Sequence, residues 1–462
     1  MSFQSLCRRL SPPARAGQPR RARTAPRRLR PLAAALLLLG LGAAAQAQTL
    51  GELVEAARGF DANYLAARAT AESVQYRYAQ AESLRRPSAA LLASGGRSWT
   101  DPPSSNTSSG ESVSANTATL ELQARQSLFN RANGATIDQT AKSVEAAAAD
   151  LDAAGQDLIL RVTQAYFDVL AAQDTVATTR TNKAAISEQL ASAKRNFEVG
   201  TATITDTREA QARFDLASAQ ELQADNELRT RRIALDQLVG RTEVQPRGLA
   251  VPVALPAVMP AAVDDWVARA DAEHPAVRKA RLALDIARLE TEKARAGHLP
   301  TLDATGSVGG RRNVSSLGTT RSATVGLQLN VPLFSGYSVQ NRVKETLLLE
   351  EKSRNDVEAA RRGVAQNTRV AFYGVNSLQA QVKALEAAES SSQLALEATQ
   401  LGYKVGVRVN LDVLNAQTQL FSTRRDLAKA RYDVLVNSLR LRQASGQLKP
   451  EDVGLVDALL QK

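Results

Sequence analysis

The 462-residue sequence holds one cysteine, two histidines, two tryptophans and only 4% aromatic residues. Cys7 stands ahead of the first apolar run, not after it. Everything beyond that run therefore lacks a disulfide, a thiol nucleophile, a thiolate metal ligand and a lipid-bearing cysteine. His274 and His298 are far apart, with no H-x-x-x-H or paired-carboxylate setting, so no metal site is expected. They precede Pro275 and Leu299-Pro300, where a histidine serves a chain turn. Also missing are G-x-S-x-G, a phosphate-cradling glycine loop and a histidine–carboxylate triad, which argues against an enzyme and against a bound cofactor. Past residue 47 no run of about twenty apolar residues occurs, so no transmembrane helix is predicted.

What is present first misleads. The formal charge of +11 suggests nucleic acid, but residues 1–30 carry nine arginines and no acid, leaving +2 for the rest. That basic stretch leads into an apolar run, Leu32 to Leu41, and then Ala45-Gln46-Ala47. Residues 1–47 read as a cleaved export signal, with the mature chain starting at Gln48. No nucleic-acid partner is expected.

The mature chain repeats itself. Asn196-Phe197-Glu198-Val199-Gly200 with Ile204-Thr205-Asp206 returns as Gly402-Tyr403-Lys404-Val405-Gly406 with Val409-Asn410-Leu411-Asp412, a shift of 206 residues. Pro87 maps to Pro300 with a shift of 213, so the first copy is longer by seven residues in between. The organisation is a first repeat over 48–246, a linker over 247–262, a second repeat over 263–446 and a tail over 447–462.

Within each copy the apolar period changes. Over Gly134–Phe197, Ile137, Ala141, Val144, Ala148, Leu151 and Leu158 begin a proline-free heptad series. It predicts a coiled-coil helix roughly 100 Å long. Val357, Val364, Ala371, Leu378 and Leu385 repeat it, and Thr203–Val239 and Asn410–Ala444 supply returning helices. Gly200 and Gly406 mark hairpin tips, since glycine accepts the left-handed conformation that ends a helix. Shorter helices are predicted near 61–86 and 275–299.

Asn116–Leu128 and Ala323–Leu333 alternate apolar and polar residues instead, with 88–98 and 301–311 as fainter partners. The Asp101–Ser114 segment is predicted as an exposed loop. Such strands suit an outer-membrane β-barrel, although a half-exposed soluble sheet uses the same pattern. Four strands cannot close a barrel, so it must be shared by two or three subunits.

Several segments, in order and within the duplication, carry a family resemblance. They are Gly297-His298-Leu299-Pro300-Thr301-Leu302-Asp303, Val331-Pro332-Leu333-Phe334-Ser335-Gly336, Tyr403-x-Val405-Gly406-x-Arg408 leading into Asp412-Val413-Leu414, Ala165-Tyr166-Phe167-Asp168-Val169-Leu170 and Ala430-Arg431-Tyr432. On these the chain resembles the TolC family of outer-membrane channel-tunnels. The resemblance implies a homotrimer, mainly α with membrane β. A twelve-stranded barrel, four strands per chain, continues into a twelve-helix periplasmic tunnel. It implies export of proteins or small toxic compounds, with a periplasmic adaptor and an inner-membrane ABC or proton-driven pump as partners.

The resemblance also places a gate at the tips. Thr205 and Asp206 match it in the first copy, and Tyr403, Arg408 and Asp412 in the second, with Arg408 latching onto Thr-Asp of a neighbouring hairpin. Asn415 departs from the family's second aspartate, so Asp412 alone would form an acidic ring and cation selectivity should be weaker. The plainer role of Asp206 and Asp412 is to meet the positive end of a helix dipole. Pro332, read as a bend or edge position, and Gly336 mark the strand-to-helix junction. A periplasmic coiled-coil adaptor is the alternative reading, but it would have one hairpin between small β-domains and no barrel strands.

Overall fold

The computed structural model describes residues 48–100, 113–250, 255–313 and 318–461. The export signal, most of the Asp101–Ser114 loop and part of the 247–262 linker lie outside them. Each half opens with a short and a longer helix: α1 (Leu50–Phe60) and α2 (Ala62–Glu82), then α5 (Val263–Glu273) and α6 (Pro275–Arg295). The intervening strands are β1 (Ser88–Thr100) and β2 (Val113–Phe129), with β3 (Thr301–Asn313) and β4 (Gly318–Asn330) in the second half. The long helices α3 (Arg131–Glu198) and α7 (Ser338–Lys404) return as α4 (Ile204–Val239) and α8 (Asn410–Ala444), and α9 (Pro450–Asp457) comes last.

The strands make one antiparallel sheet in the order β1-β2-β3-β4. Its register sets Leu91, Leu122, Val308 and Ala323 in one row. Because side chains alternate along a strand, this row fixes the two faces. Leu120, Val325, Leu327 and Leu329 share the apolar face, and Val325 is 93% exposed. The other face carries Glu121, Gln123, Arg125, Asp303, Thr305 and Gln328. Gln126 on the first face and Leu92 on the second are exceptions. Arg125 reaches Asp303 at 2.6 Å across the polar face. Thirteen residues at the tilt usual for membrane barrels span roughly 30 Å, the thickness of a hydrocarbon core. Trp99 stands exposed near the loop end of the apolar face, and Phe334 packs edge-to-face on Tyr337 at 5.7 Å below its other end.

β4 ends at Asn330, so Pro332 follows the strand instead of bending it. The chain then crosses to α7 through Gly336 and Tyr337, at φ of 58° and 61°. In the first copy Asn130 alone makes that crossing, its side chain capping α3 by accepting from the Asn133 amide at 3.2 Å.

The 68 residues of α3 give a rod of about 100 Å. The heptad seam holds below the middle, where Ile186, Leu190 and Ala193 pack on Ala210 and Ala217 of α4. Above it Ala148 is exposed, while Ala147 and Ala149 are buried. Between Leu158 and Leu170 a two-sided seam gives way to burial on nearly every side. The cause is a collar unforeseen in the heptads: Leu50 and Leu53 of α1, Leu235 of α4, Leu435 and Leu439 of α8 and Val456 of α9 all meet there. Phe167 stacks on Tyr432 at 5.5 Å, and the Tyr432 hydroxyl donates to Asp174 at 2.6 Å. Burial pushes the Asp174 carboxyl up from its ordinary range and the Tyr432 phenol up with it. The tail belongs to the collar. Asp457 accepts from the Leu50 and Gly51 amides at 2.8 and 3.0 Å, holding α9 across the start of α1.

Two glycines organise the middle of the rod. Gly240 ends α4 at φ 72°, where a Cβ would stand 2.3 Å from the Phe60 ring. Gly446, its repeat equivalent beyond α8, has φ 73° and would place a Cβ 2.5 Å from His274 Cα. Each returning helix thus stops at the junction between the short and the longer helix of its repeat. Asp61 and His274 cap α2 and α6 at equivalent positions: Asp61 accepts from Tyr64 N at 2.8 Å, and His274 Nδ1 from Ala276 N at 3.1 Å. Asp61 is buried and also takes a two-pronged bond from Arg161 at 2.9 and 3.0 Å. The Arg161 guanidinium holds its carboxyl below the usual range.

Two outcomes follow from this collar. Gly446→Ala adds a backbone clash to the left-handed penalty and should cost well over ~2 kcal/mol, whereas Gly406→Ala, with open space around it, should cost only ~1–2 kcal/mol; denaturant titration of both checks the difference. Asp61→Asn should lose about 2–3 kcal/mol at neutral pH. A depressed carboxylate stabilises above its unfolded pKa and stops doing so as pH falls through its folded value. The gap between wild type and Asp61→Asn should therefore close below about pH 4, and a gap unchanged by acid would refute the pair's role.

Candidate functional site

The hairpin tips are built the same way twice. Gly200 and Gly406 sit at φ 78° and 81° just past α3 and α7. Thr201 N bonds Asn196 O at 2.8 Å, and Gly200 N bonds Phe197 O at 3.0 Å. Val407 N to Gly402 O at 2.9 Å and Gly406 N to Tyr403 O at 3.1 Å repeat that closure. Both tips use glycine to satisfy the last helical carbonyls within a few residues of chain.

The copies then diverge. Asp206 is engaged locally: its carboxylate accepts from Thr203 N at 3.0 Å and Thr203 Oγ1 at 2.7 Å, while Thr203 Oγ1 takes the Asp206 amide. Thr205 beside it is exposed. Val409, at the matching position of the second copy, has no side-chain acceptor to cap α8. Asp412 is free of a capping box there and faces Arg408 on its own hairpin at 3.6 Å. Both partners are substantially exposed, so the pair contributes at most ~1 kcal/mol. Within one chain Arg408 therefore meets Asp412, and not Thr205 or Asp206.

The hairpins touch through residues named from the sequence and through partners that were not. Leu414 of α8 is fully buried among Ile186, Leu190, Ala193, Ala210 and Ala217 of the first hairpin. Polar bonds surround it. Arg213 of α4 donates to Asn415 Oδ1 at 2.9 Å, Gln189 donates to the buried Asn410, and Asn196 donates to the Tyr403 hydroxyl at 3.3 Å. Tyr403 and Asn415, named from the sequence, are thus brought into one contact between hairpins. Arg213 was missed because its partner lies across the bundle, outside any helical spacing. Pro332 and Gly336 belong to the opposite end of α7, a rod's length away.

Among the described residues no group of histidines, cysteines and carboxylates could hold a metal ion, and no helix is long and apolar enough to cross a membrane. What the tips offer is a mouth of helical ends, one hairpin leaning on the other through one leucine and a few hydrogen bonds.

Comparison with known proteins agrees with this architecture. The family described as outer membrane efflux protein matches residues 53–241 and 266–447, one segment per repeat. Outer membrane protein TolC of Escherichia coli (strain K12) is 30% identical over 451 residues, covering 94% of this chain and 90% of that one. Alkaline protease secretion protein AprF of Pseudomonas aeruginosa is 36% identical over 310 residues, covering 66% and 64%. The crystal structure of the outer membrane protein VceC from Vibrio cholerae superposes with a TM-score of 0.72 at 19% identity, covering 86% of this chain and 96% of that one, and so supports the fold. With one family segment on each half, and four strands and two hairpins as in one protomer of such a channel, this chain belongs to the outer membrane efflux protein family.

Proposed function

We propose that three copies of this chain form an exit duct in the outer membrane, passing cargo from the periplasmic end of the hairpins out through the barrel. One observation carries the reading: a single sheet, apolar on one face and polar on the other, runs directly into helices about 100 Å long. Its outer edges, on β1 and β4, have no partner strand among the described residues. Open edges in lipid cost several kcal/mol per backbone group, and adjacent copies remove that cost. The adaptor reading accounts for neither the second hairpin nor the strands. The mature chain is inferred to begin at Gln48, whose amide bonds Gln245 at 3.0 Å within the collar.

The tips are the natural gate. Asp412, from three chains, is the candidate acidic ring, with Arg408, Tyr403, Thr205 and Asp206 around it. Asn415 is held by Arg213, so a neutral side chain occupies the second ring position. Cargo is either polypeptide or small toxic compounds. The kinship with a relative named for protease secretion favours the former, and the docked pump and its periplasmic adaptor decide.

Extraction from outer membranes should give a heat-modifiable trimer, and recovery as a soluble periplasmic monomer would refute the duct. In planar bilayers Arg213→Ala and Tyr403→Phe should raise closed-state conductance severalfold, since each removes a bond of about 1 kcal/mol in every protomer. Blockade by multivalent cations should be weak and vanish in Asp412→Ala. Strong block surviving that change would remove Asp412 from the gate.

A further inference from the structure

We infer that the outer face of the sheet binds the phosphate groups of outer-leaflet lipids through Arg97, Arg312 and Arg321. The inference rests on the outer-membrane reading above and adds a ligand to it. The register places all three arginines on the apolar face: Arg97 lies opposite Asn116, Arg312 opposite Ala118 and Arg321 opposite Gly310. They are the only charged side chains on that face among the described residues, and no acid accompanies them. Glu121, Asp303, Arg125 and Arg311 all point to the polar face.

Their depth is specific too. Each lies within four residues of the loop-side end of its strand. An arginine facing lipid costs ~2–4 kcal/mol at the bilayer midplane and about 0–1 near an interface, so these positions are tolerable only at the rim. Tolerance alone would not select one sign or one rim. At the opposite end, below the sheet, Arg86, Arg131 and Arg342 each pair with a glutamate. The three rim arginines have no ion-pair partner among the described residues and are exposed. Arg97 rests over the Trp99 ring at 5.1 Å, which holds the guanidinium plane at the depth of an interfacial aromatic and leaves its N–H edges free. Planar guanidinium groups bind phosphate with two parallel bonds, which ammonium groups cannot. Unpaired cations confined to the extracellular rim match a leaflet whose lipids carry phosphate at the boundary between sugar and acyl chain.

The test uses delipidated, detergent-extracted trimer and native mass spectrometry. The probes are bisphosphorylated lipid A, the same glycolipid stripped of phosphate, and inorganic phosphate. Wild type should bind the phosphorylated lipid, and R97Q/R312Q/R321Q should bind it roughly a hundredfold more weakly, at about 1 kcal/mol per cation. The stripped glycolipid should bind both proteins weakly and alike. Lysine at the three positions should recover only part of the affinity. Equal binding by wild type and the triple variant, or equal binding of stripped and phosphorylated lipid, overturns the inference. So does inorganic phosphate binding as tightly as the lipid. If the triple variant fails to trimerise, R321Q alone and the stripped-lipid comparison on wild type still decide. A soluble monomer would sink the duct itself, whereas a membrane trimer indifferent to lipid phosphate sinks only this inference.

Discussion

An unpaired strand edge in hydrocarbon is the constraint from which the rest follows. β1 and β4 each present a row of backbone amides and carbonyls that lipid cannot satisfy. The sheet must be completed by further copies, and its strands are too few for one chain to curl on itself. Every strand is covalently joined to a helix, so closing the sheet also fixes how many helices hang beneath it. The collar at mid-height holds the largest buried apolar cluster among the described residues. There α1 and α9 pack against α3, α4 and α8, and apolar side chains from both repeats meet.

How much of this the sequence displayed depends on how locally each feature is encoded. The rods and their tips were plain, because a heptad series and a helix-ending glycine are written in neighbouring residues. β2 and β4 showed their alternation, although β4 begins earlier than the pattern suggested and ends before Pro332. The collar was invisible. α1 and α5 have eleven residues each and α9 has eight, too few for a period to declare itself. The same collar explains why Ile159, Tyr166, Phe167 and Leu170 are buried beside the heptad positions Leu158, Val162 and Val169, since partners arrive from several directions. At the tips, the positions of Gly200, Gly406, Asp206 and Asp412 were legible. The Arg213–Asn415 bond was not, since nothing in either helix announces a partner two hundred residues away.

The two repeats differ at the starts of their returning helices. In the first copy Asp206 closes a capping box, which fastens the start of α4. In the second, Val409 leaves α8 without that fastening, and Asp412 turns to Arg408. Each hairpin has its own apolar contacts near the tip, Leu396 with Val413 and Leu420 in the second, and Leu414 joins the cluster of the first. The repeats share one plan, and a valine stands at 409 where the first copy has its capping threonine.

The glycine junctions give the rod a load path. Only α3 and α7 run unbroken from barrel to tip, while α4 and α8 end at Gly240 and Gly446 against separate helices above. A pull on the tips is therefore carried upward by two covalent struts per chain. The other two end within the collar, where Leu235 of α4 and Leu435 and Leu439 of α8 are packed, so side-chain burial and not a continuous helix ties them to the upper half. Helical continuity between tip and barrel rests, among the described elements, on α3 and α7.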